Sequence, residues 1–303
     1  MESTSLNYVL ITPARNEEAY IGLTLRSMIA QTVRPLRWVI VSDGSTDRTD
    51  EIVGEYAKQH DWIELVRMPE RGERDFGGKV LCFEAGHGRM QGLNYDLVGN
   101  LDADLSFEPE LFAMLLGKFS ENPKLGVAGA PFTEGKGTYD FRYSNIEHVS
   151  GACQLFRRDC FAEIGGYHAM KGGGIDVLAV LKARMKGWQT RTFPEQVCFH
   201  HRPMGSANDS AVRLYYRLGQ KDFMVGNHAL WQLFRSLYKM RSTPVIIGGF
   251  ALLAGYLSFA LKGVKRLVPE EVVRFQRREQ MARLKGIVLR KSAKGSSTVS
   301  GYG

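Results

Sequence analysis

The sequence predicts an α/β protein, a mostly parallel sheet flanked by helices, with a helical, membrane-associating extension at the C-terminal end. Three observations predict it. Short apolar β-type runs alternate with stretches of helical spacing over the first 110 residues, the pattern of strands joined by crossover helices. Polar clusters close the first, second and fourth of these runs, where ligands bind in open parallel sheets. Beyond residue 205 the chain turns basic, aromatic and then apolar.

Tyr8–Ile11 is the first apolar run, followed by Pro13, and apolar residues at helical spacing (Ile21, Leu25, Met28, Ile29) predict a helix over Glu17–Gln31. Trp38–Val41 is the second strand, closed by Asp43-Gly44-Ser45, and Asp47 caps a helix running to Tyr56. Ile63–Val66 is the third strand, Val80–Met90 is helical in part, and Leu97–Leu101 is the fourth strand with Asp102 at its end. Residues 111–205 are mixed: strands at Gly126–Ala130, Cys153–Phe156 and Val197–Phe199, and helices at Arg158–Ile164 and Asp176–Lys186. Residues 209–240 are helical, basic and aromatic, which suits a membrane interface or a helix pair packed on the domain. Residues 262–285 carry a short helix, before a Lys/Gly/Ser tail, 291–303, expected to be disordered.

Pro244–Leu261 holds 18 residues without a charge, roughly 27 Å as a helix and at the lower limit for a membrane span. Arg235, Lys239 and Arg241 precede it and Lys262, Lys265 and Arg266 follow, so orientation is not encoded. A single span, a re-entrant hairpin and a buried helix all remain open.

Composition bounds the rest. The chain has 303 residues, 44% apolar and 24% charged, which excludes wholesale disorder, collagen and a polytopic membrane protein. The net charge is +8, and residues from Lys262 onward hold 11 Lys/Arg against 3 Asp/Glu, so the excess sits in the tail. That tail is expected to meet lipid and no nucleic acid, because the body is neutral and carries no reading motif. The four cysteines show no CxxC spacing and suit a reducing compartment. Met1–Ser5 lacks the basic and apolar regions of a signal peptide.

The chemistry is expected at the strand ends. Asp102-Ala103-Asp104 offers hard oxygen ligands suited to Mg²⁺ or Mn²⁺, which would neutralise a diphosphate. Asp43 can accept hydrogen bonds from a base or ribose, with Gly44 permitting the turn. The backbone of Thr12-Pro13-Ala14-Arg15 and the Glu17 carboxylate can frame a nucleotide, with helix capping as the plainer role for Asn16. His200 and His201 end a strand, so either is a candidate further metal ligand, and Arg202 carries the donor fork that suits phosphate.

In order and spacing, the runs Val9–Glu18, Val41–Asp47 and Asp102-Ala103-Asp104 resemble those of family 2 glycosyltransferases with the GT-A (Rossmann-like) fold, over residues 7–200. The resemblance implies a nucleotide-sugar donor, a divalent metal and inversion at the anomeric carbon. It implies a catalytic domain over 1–205, divided into a nucleotide-sugar half (1–110) and an acceptor half (111–205), before a helical region over 206–290. By the same resemblance Asp43 contacts the nucleoside, Asp102 and Asp104 handle ribose, diphosphate and metal, and Lys79 lies near the donor. Ser150–Arg158 and Ile164–Tyr167 are similar to the family's segment beneath the acceptor. The family then shows Glu-Asp, the Asp being the general base; here Ile175 replaces the Glu and Asp176 remains. An apolar neighbour raises a carboxylate's pKa, which suits a base, but a supporting hydrogen-bond partner is lost. The Gln-x-x-Arg-Trp motif of processive synthases is absent.

The expected activity is metal-dependent sugar transfer to a hydroxyl of a saccharide acceptor, polyprenyl-linked for preference, at the cytoplasmic face of the cell membrane. Two rivals stand: a nucleotidyltransferase, although Thr12–Glu18 lacks the glycine-rich loop such enzymes carry, and a non-enzymatic nucleotide-sugar-binding protein, suggested by the lost Glu beside Asp176.

Overall fold

The computed structural model describes residues 6–70, 76–134, 145–170, 173–202, 210–241 and 244–296. The chain divides into two units, Met1–Met204 and Gly205–Gly303.

The first unit is built on β1 (Tyr8–Ala14), β2 (Arg37–Asp43), β3 (Ile63–Met68), β4 (Leu97–Leu101), β6 (Leu125–Gly129), β8 (Cys153–Arg157) and β9 (Gln189–Thr192). These form one sheet in the order β3-β2-β1-β4-β8-β6-β9. β1 pairs in parallel with both β2 and β4, and β2 with β3. β8 runs antiparallel to β4 and β6, and β6 pairs in parallel with β9. β4 is buried throughout and β1 and β2 nearly so, which is why their sequences read as unbroken apolar runs.

Helices α1 (Ile21–Ile29), α2 (Thr49–Gln59) and α3 (Phe76–Gly88) are the crossovers. α1 buries Ile21, Thr24, Leu25 and Met28, one helical face. α4 (Leu111–Glu121) buries Leu111, Phe112, Leu115, Leu116 and Phe119 into the core that also holds Tyr8, Leu10 and Trp38. α4 and β9 are additional to the elements expected from the sequence. α5 (Arg158–Glu163) and α6 (Ile175–Met185) follow in the acceptor half.

A second sheet in the order β5-β10-β7 joins β5 (Leu105–Ser106), β10 (Cys198–His200) and β7 (Phe132–Thr133). It sets the register of the site, because His200 lies opposite Leu105 and Phe199 opposite Thr133. The four cysteines are free and buried.

The second unit is helical. The single basic and aromatic stretch expected over 209–240 is two helices, α7 (Ala211–Met224) and α8 (Ala229–Lys239), parted at Gly226, where φ is +90°. α9 (Ile247–Leu261) and α10 (Glu270–Ser296) complete it. α10, at 27 residues, is longer than the short helix expected within 262–285 and runs through 291–296, the start of the expected tail; residues 297–303 and Gly172 lie outside the described residues. α9 packs on α7 at glycine contacts: a Cβ on Gly219 would stand 1.9 Å from the Leu252 carbonyl oxygen, and one on Gly255 1.9 Å from that of Tyr216. Among the described residues no helix is long and apolar enough to cross a membrane. Of the uncharged run 244–261, Pro244, Val245 and Ile246 stay outside the helix, which spans 15 residues.

Candidate active site

Parallel pairing brings the ends of β1, β2 and β4 to one edge of the sheet. The loops after β1 and β2 are laced together there. Asn16, at φ +54°, accepts the Thr46 amide at 2.8 Å. Asp47 accepts the Glu18 amide at 3.0 Å, the Thr49 amide at 3.0 Å and the Thr49 hydroxyl at 2.5 Å. Burial alone would raise the Asp47 carboxyl; the bonds from Thr49 and Glu18 outweigh it and hold it below its ordinary value. Asp47 is thus a cap and a tie. Gly44, at φ +62°, turns against Glu70, where a Cβ would meet Cα at 2.5 Å.

Asp43 is buried at the end of β2, and its Oδ2 lies 3.7 Å from Arg15 Nη1. Thr12 and Ala14 are also buried, but their side chains serve the fold. Thr12 Oγ1 accepts the Trp38 indole N–H at 2.8 Å, and Ala14 and Ala103 belong to the core. Pro13 is half-buried in β1.

The second half of the site gathers at the end of β4. Lys79 of α3 sets its ammonium 2.5 Å from Asp102 Oδ1. Desolvation alone would lower the Lys79 pKa, but Asp102 first, then Asp176 and Asp104, raise it above its ordinary value. All three carboxylates therefore act on one cation. Because β8 runs antiparallel to β4, its N-terminal approach meets the β4 end, where the Asp102 amide donates to the Ala152 carbonyl at 2.8 Å. The Asn100 amide nitrogen donates to Asp102 Oδ1 at 3.1 Å and also to the Gly151 carbonyl. The Gly151 amide in turn donates to Asp176 Oδ2 at 3.2 Å. Ile175 is buried, so this backbone amide supports Asp176, whose partner had been expected to be missing. Tyr167, buried and bonded to Gln154 Oε1 at 2.5 Å, is pushed well above its ordinary pKa by burial, then by Asp176 and Asp102.

The register of β10 against β5 decides between the histidines. His200 Nε2 lies 3.3 Å from Asp104 Oδ1, and its Nδ1 3.1 Å from Glu134. The bond to Asp104 is the main cause that raises His200 above its ordinary pKa, against desolvation. Burial would raise Asp104, but His200, then Arg202, holds it down. His201, the other candidate, has its Nε2 bonded to Ser106 Oγ at 2.8 Å and its ring stacked on Tyr20 at 6.3 Å. Arg202 pairs with the buried Glu17, donates to the Asn16 carbonyl at 3.3 Å, lies over the Tyr20 ring, and brings its Nε to 3.6 Å from Asp104 Oδ2. That Nε is buried without an acceptor at hydrogen-bonding distance.

Among the described residues no group of three or more His, Cys, Asp or Glu stands arranged to hold a metal ion. Asp104 and His200 form a two-donor set. Asp104 supplies the hard carboxylate oxygen that suits Mg²⁺ or Mn²⁺, with substrate phosphates completing the shell, and His200 offers a nitrogen beside it.

The family profile described as Glycosyl transferase family 2 matches residues 9–165, slightly more than half of the chain. The chain belongs to that family. Among curated relatives, the poly-beta-1,6-N-acetyl-D-glucosamine synthase of Staphylococcus epidermidis is 29% identical over 177 residues, covering 50% of this chain and 39% of that protein. The probable glycosyltransferase YdaM of Bacillus subtilis is 22% identical over 275 residues, covering 82% and 62%. This family member thus spans about 39–62% of the length of these curated relatives. The mannosyltransferase PcManGT of Pyrobaculum calidifontis, solved with GDP-Man and Mn²⁺, aligns with a TM-score of 0.57 at 18% identity, covering 98% of this chain and 84% of that one. TarS of Staphylococcus aureus, solved with UDP-GlcNAc, aligns with a TM-score of 0.53 at 16% identity, covering 84% and 73%. These likenesses show the fold, the GT-A arrangement of a mostly parallel sheet flanked by helices.

Asn100, Tyr20 and Glu134 lie among these groups and were not singled out from sequence, whereas Gly151 falls within Ser150–Arg158. Of the three, Asn100 left a signal, a polar residue inside an otherwise apolar run.

Proposed function

We propose that the protein is an inverting glycosyltransferase that moves a sugar from a nucleoside-diphosphate sugar to a hydroxyl of a saccharide acceptor in polysaccharide or glycolipid synthesis. The observation that carries this reading is the convergence of Lys79, Asp102, Asp104, His200 and Arg202 at one sheet edge, with Asp176 within the same electrostatic field.

Asp43 and Arg15 at the end of β2 take the nucleoside. Asp102 takes the ribose or diphosphate. Lys79 and the Arg202 guanidinium would meet the phosphates, where negative charge grows as the donor departs. Asp104 and His200 would hold Mg²⁺ or Mn²⁺, which when bound supplies positive charge at the diphosphate. Asp176, oriented by the Gly151 amide, takes the proton of the acceptor hydroxyl. That oxygen bonds to the anomeric carbon as the carbon–oxygen bond to the diphosphate breaks, and configuration inverts. A lipid-linked acceptor at the cytoplasmic face of the membrane fits the helical unit. PcManGT and GalNAc-T7 were solved with Mn²⁺, and PcManGT and TarS with GDP-Man and UDP-GlcNAc, which supports both the cation and the donor class.

The test is a binding and hydrolysis screen of UDP-, GDP- and dTDP-sugars with Mg²⁺ or Mn²⁺, beside Asp104→Asn. Slow hydrolysis of one donor, lost in the variant, is expected. With two protein donors only, Mn²⁺ binds weakly alone and more tightly once the matching nucleoside diphosphate is present. Donor binding without hydrolysis or transfer to any saccharide acceptor would contradict the enzymatic reading.

A further inference from the structure

Helix α8 has its polarity reversed. In α8, Gln232 and Ser236 are fully buried, whereas Leu230, Leu233 and Leu237 are 43 to 54% exposed. The interior beside them is polar. Arg235 Nη1 donates to the buried Asp222 at 2.5 Å, and Asn227 Oδ1 accepts from Gln276 and Gln280, each at 2.7 Å. α9 turns Gly248, Leu252, Gly255 and Tyr256 inward and leaves Ile247, Phe250, Leu257 and Leu261 exposed at helical spacing. Exposed leucines scattered singly are ordinary; polar atoms inside a contiguous apolar stripe mark a surface made for an apolar medium.

Charge says which medium. Residues 210–269 hold nine Lys/Arg and one carboxylate, Asp222, which is buried. Exposed Arg241 follows α8, and exposed Lys262, Lys265 and Arg266 follow α9, at the ends of the apolar stripes. Exposed Glu270 and Glu271 open α10 beyond this window, and apolar stripes with a cationic rim complement anionic lipid headgroups above acyl chains. At 15 residues, α9 is roughly 22 Å long, too short to cross and suited to lying in the interface.

We propose that α8 and α9 form a monotopic docking surface for an anionic bilayer. Leu230, Leu233, Leu237, Ile247, Phe250 and Leu257 enter the acyl boundary, and Arg241, Lys262 and Lys265 meet the headgroups. This surface is independent of the catalytic reading, because its readout is lipid binding.

The test is flotation of the full-length protein with vesicles of phosphatidylcholine, with and without phosphatidylglycerol. Co-flotation with the anionic vesicles, falling as salt rises, is expected. The Leu233→Glu/Leu237→Glu double variant and Phe250→Glu lower the partition by about tenfold or more. These positions are exposed, so thermal melting followed by circular dichroism stays unchanged. Arg241→Glu/Lys265→Glu removes the preference for anionic vesicles. Failure to float, or equal flotation of the leucine variants, overturns the proposal. So does a dimer, seen by light scattering, that the same substitutions dissolve, since the occupant is then a second copy of this chain.

Discussion

Lys79 and Asp102 are held 2.5 Å apart, across 23 residues of sequence. The pair joins the first turn of α3 to the end of β4. A cation fixed beside Asp102 and within the field of Asp104 and Asp176 offsets the repulsion of three carboxylates at one sheet edge. Lys79→Met therefore lowers kcat by roughly 10²-fold, the scale for removing one preorganised electrostatic group. It also weakens nucleoside-diphosphate binding, and Lys79→Arg restores part of both. Steady-state kinetics with calorimetric binding of the nucleoside diphosphate checks this. Unchanged binding and turnover in Lys79→Met would remove Lys79 from the site.

Asn100 bridges the two halves of the reaction. Its amide reaches Asp102 Oδ1 and the Gly151 carbonyl, and the Gly151 amide holds Asp176. Asn100→Ala is expected to leave the nucleotide Kd within about threefold while kcat falls by about tenfold or more, since misplacing a catalytic group slightly has large rate effects. A matching loss in both quantities would make Asn100 a donor-binding residue only.

Gly151 leaves little room for a side chain on that bridge: a Cβ would stand 3.0 Å from the Asp176 Cβ, which must give by a few tenths of an ångström. Gly151→Ala displaces the carboxylate and lowers kcat, with donor binding retained. Gly219→Ala reports on the other unit. Its Cβ would lie 1.9 Å from the Leu252 carbonyl oxygen, and the helices must separate, at about 1–3 kcal/mol. Differential scanning calorimetry is expected to show a lowered transition for Gly219→Ala and nearly unchanged stability for Gly151→Ala.

Asp222 gives the helical unit a pH dependence of definite sign. Burial raises its pKa above the ordinary carboxylate value, more than Arg235, Gln232 and Lys221 lower it. A carboxyl whose folded pKa is raised contributes stability fully present below its unfolded pKa, and that contribution is lost as pH rises through the folded value. Thermal melts at mildly acidic to neutral pH should show wild type gaining stability relative to Asp222→Asn as pH falls. A gap that moves in the opposite direction would mean that the pairing with Arg235 outweighs burial.

The parallel half of the sheet was legible in the sequence because each strand is a near-continuous apolar run ending in a polar cluster. Asp43, Asp102 and Asp104 follow from that pattern. The small second sheet was not legible, since β5 and β7 are two residues each and carry no periodicity. That sheet, and not composition, separates His200 from His201: the register of His200 opposite Leu105 turns one ring to Asp104, while the other bonds Ser106 and stacks on Tyr20. Along the buried strand β1 the Thr12 and Ala14 side chains pack into the core, which leaves the backbone role expected of this run untouched. The Gly151 support for Asp176 comes from backbone, which no side-chain motif announces.

The central claim is that Asp176 is the base of a sugar transfer whose donor is held at the β4 end. Calorimetric titration with the matching nucleoside diphosphate, beside single-turnover transfer from its sugar, tests it on Asp176→Asn and Asp104→Asn. Asp176→Asn is expected to bind the nucleotide as wild type does and to lose transfer by about 10³-fold or more, while Asp104→Asn loses metal-dependent binding as well. Transfer by Asp176→Asn at the wild-type rate would contradict the account.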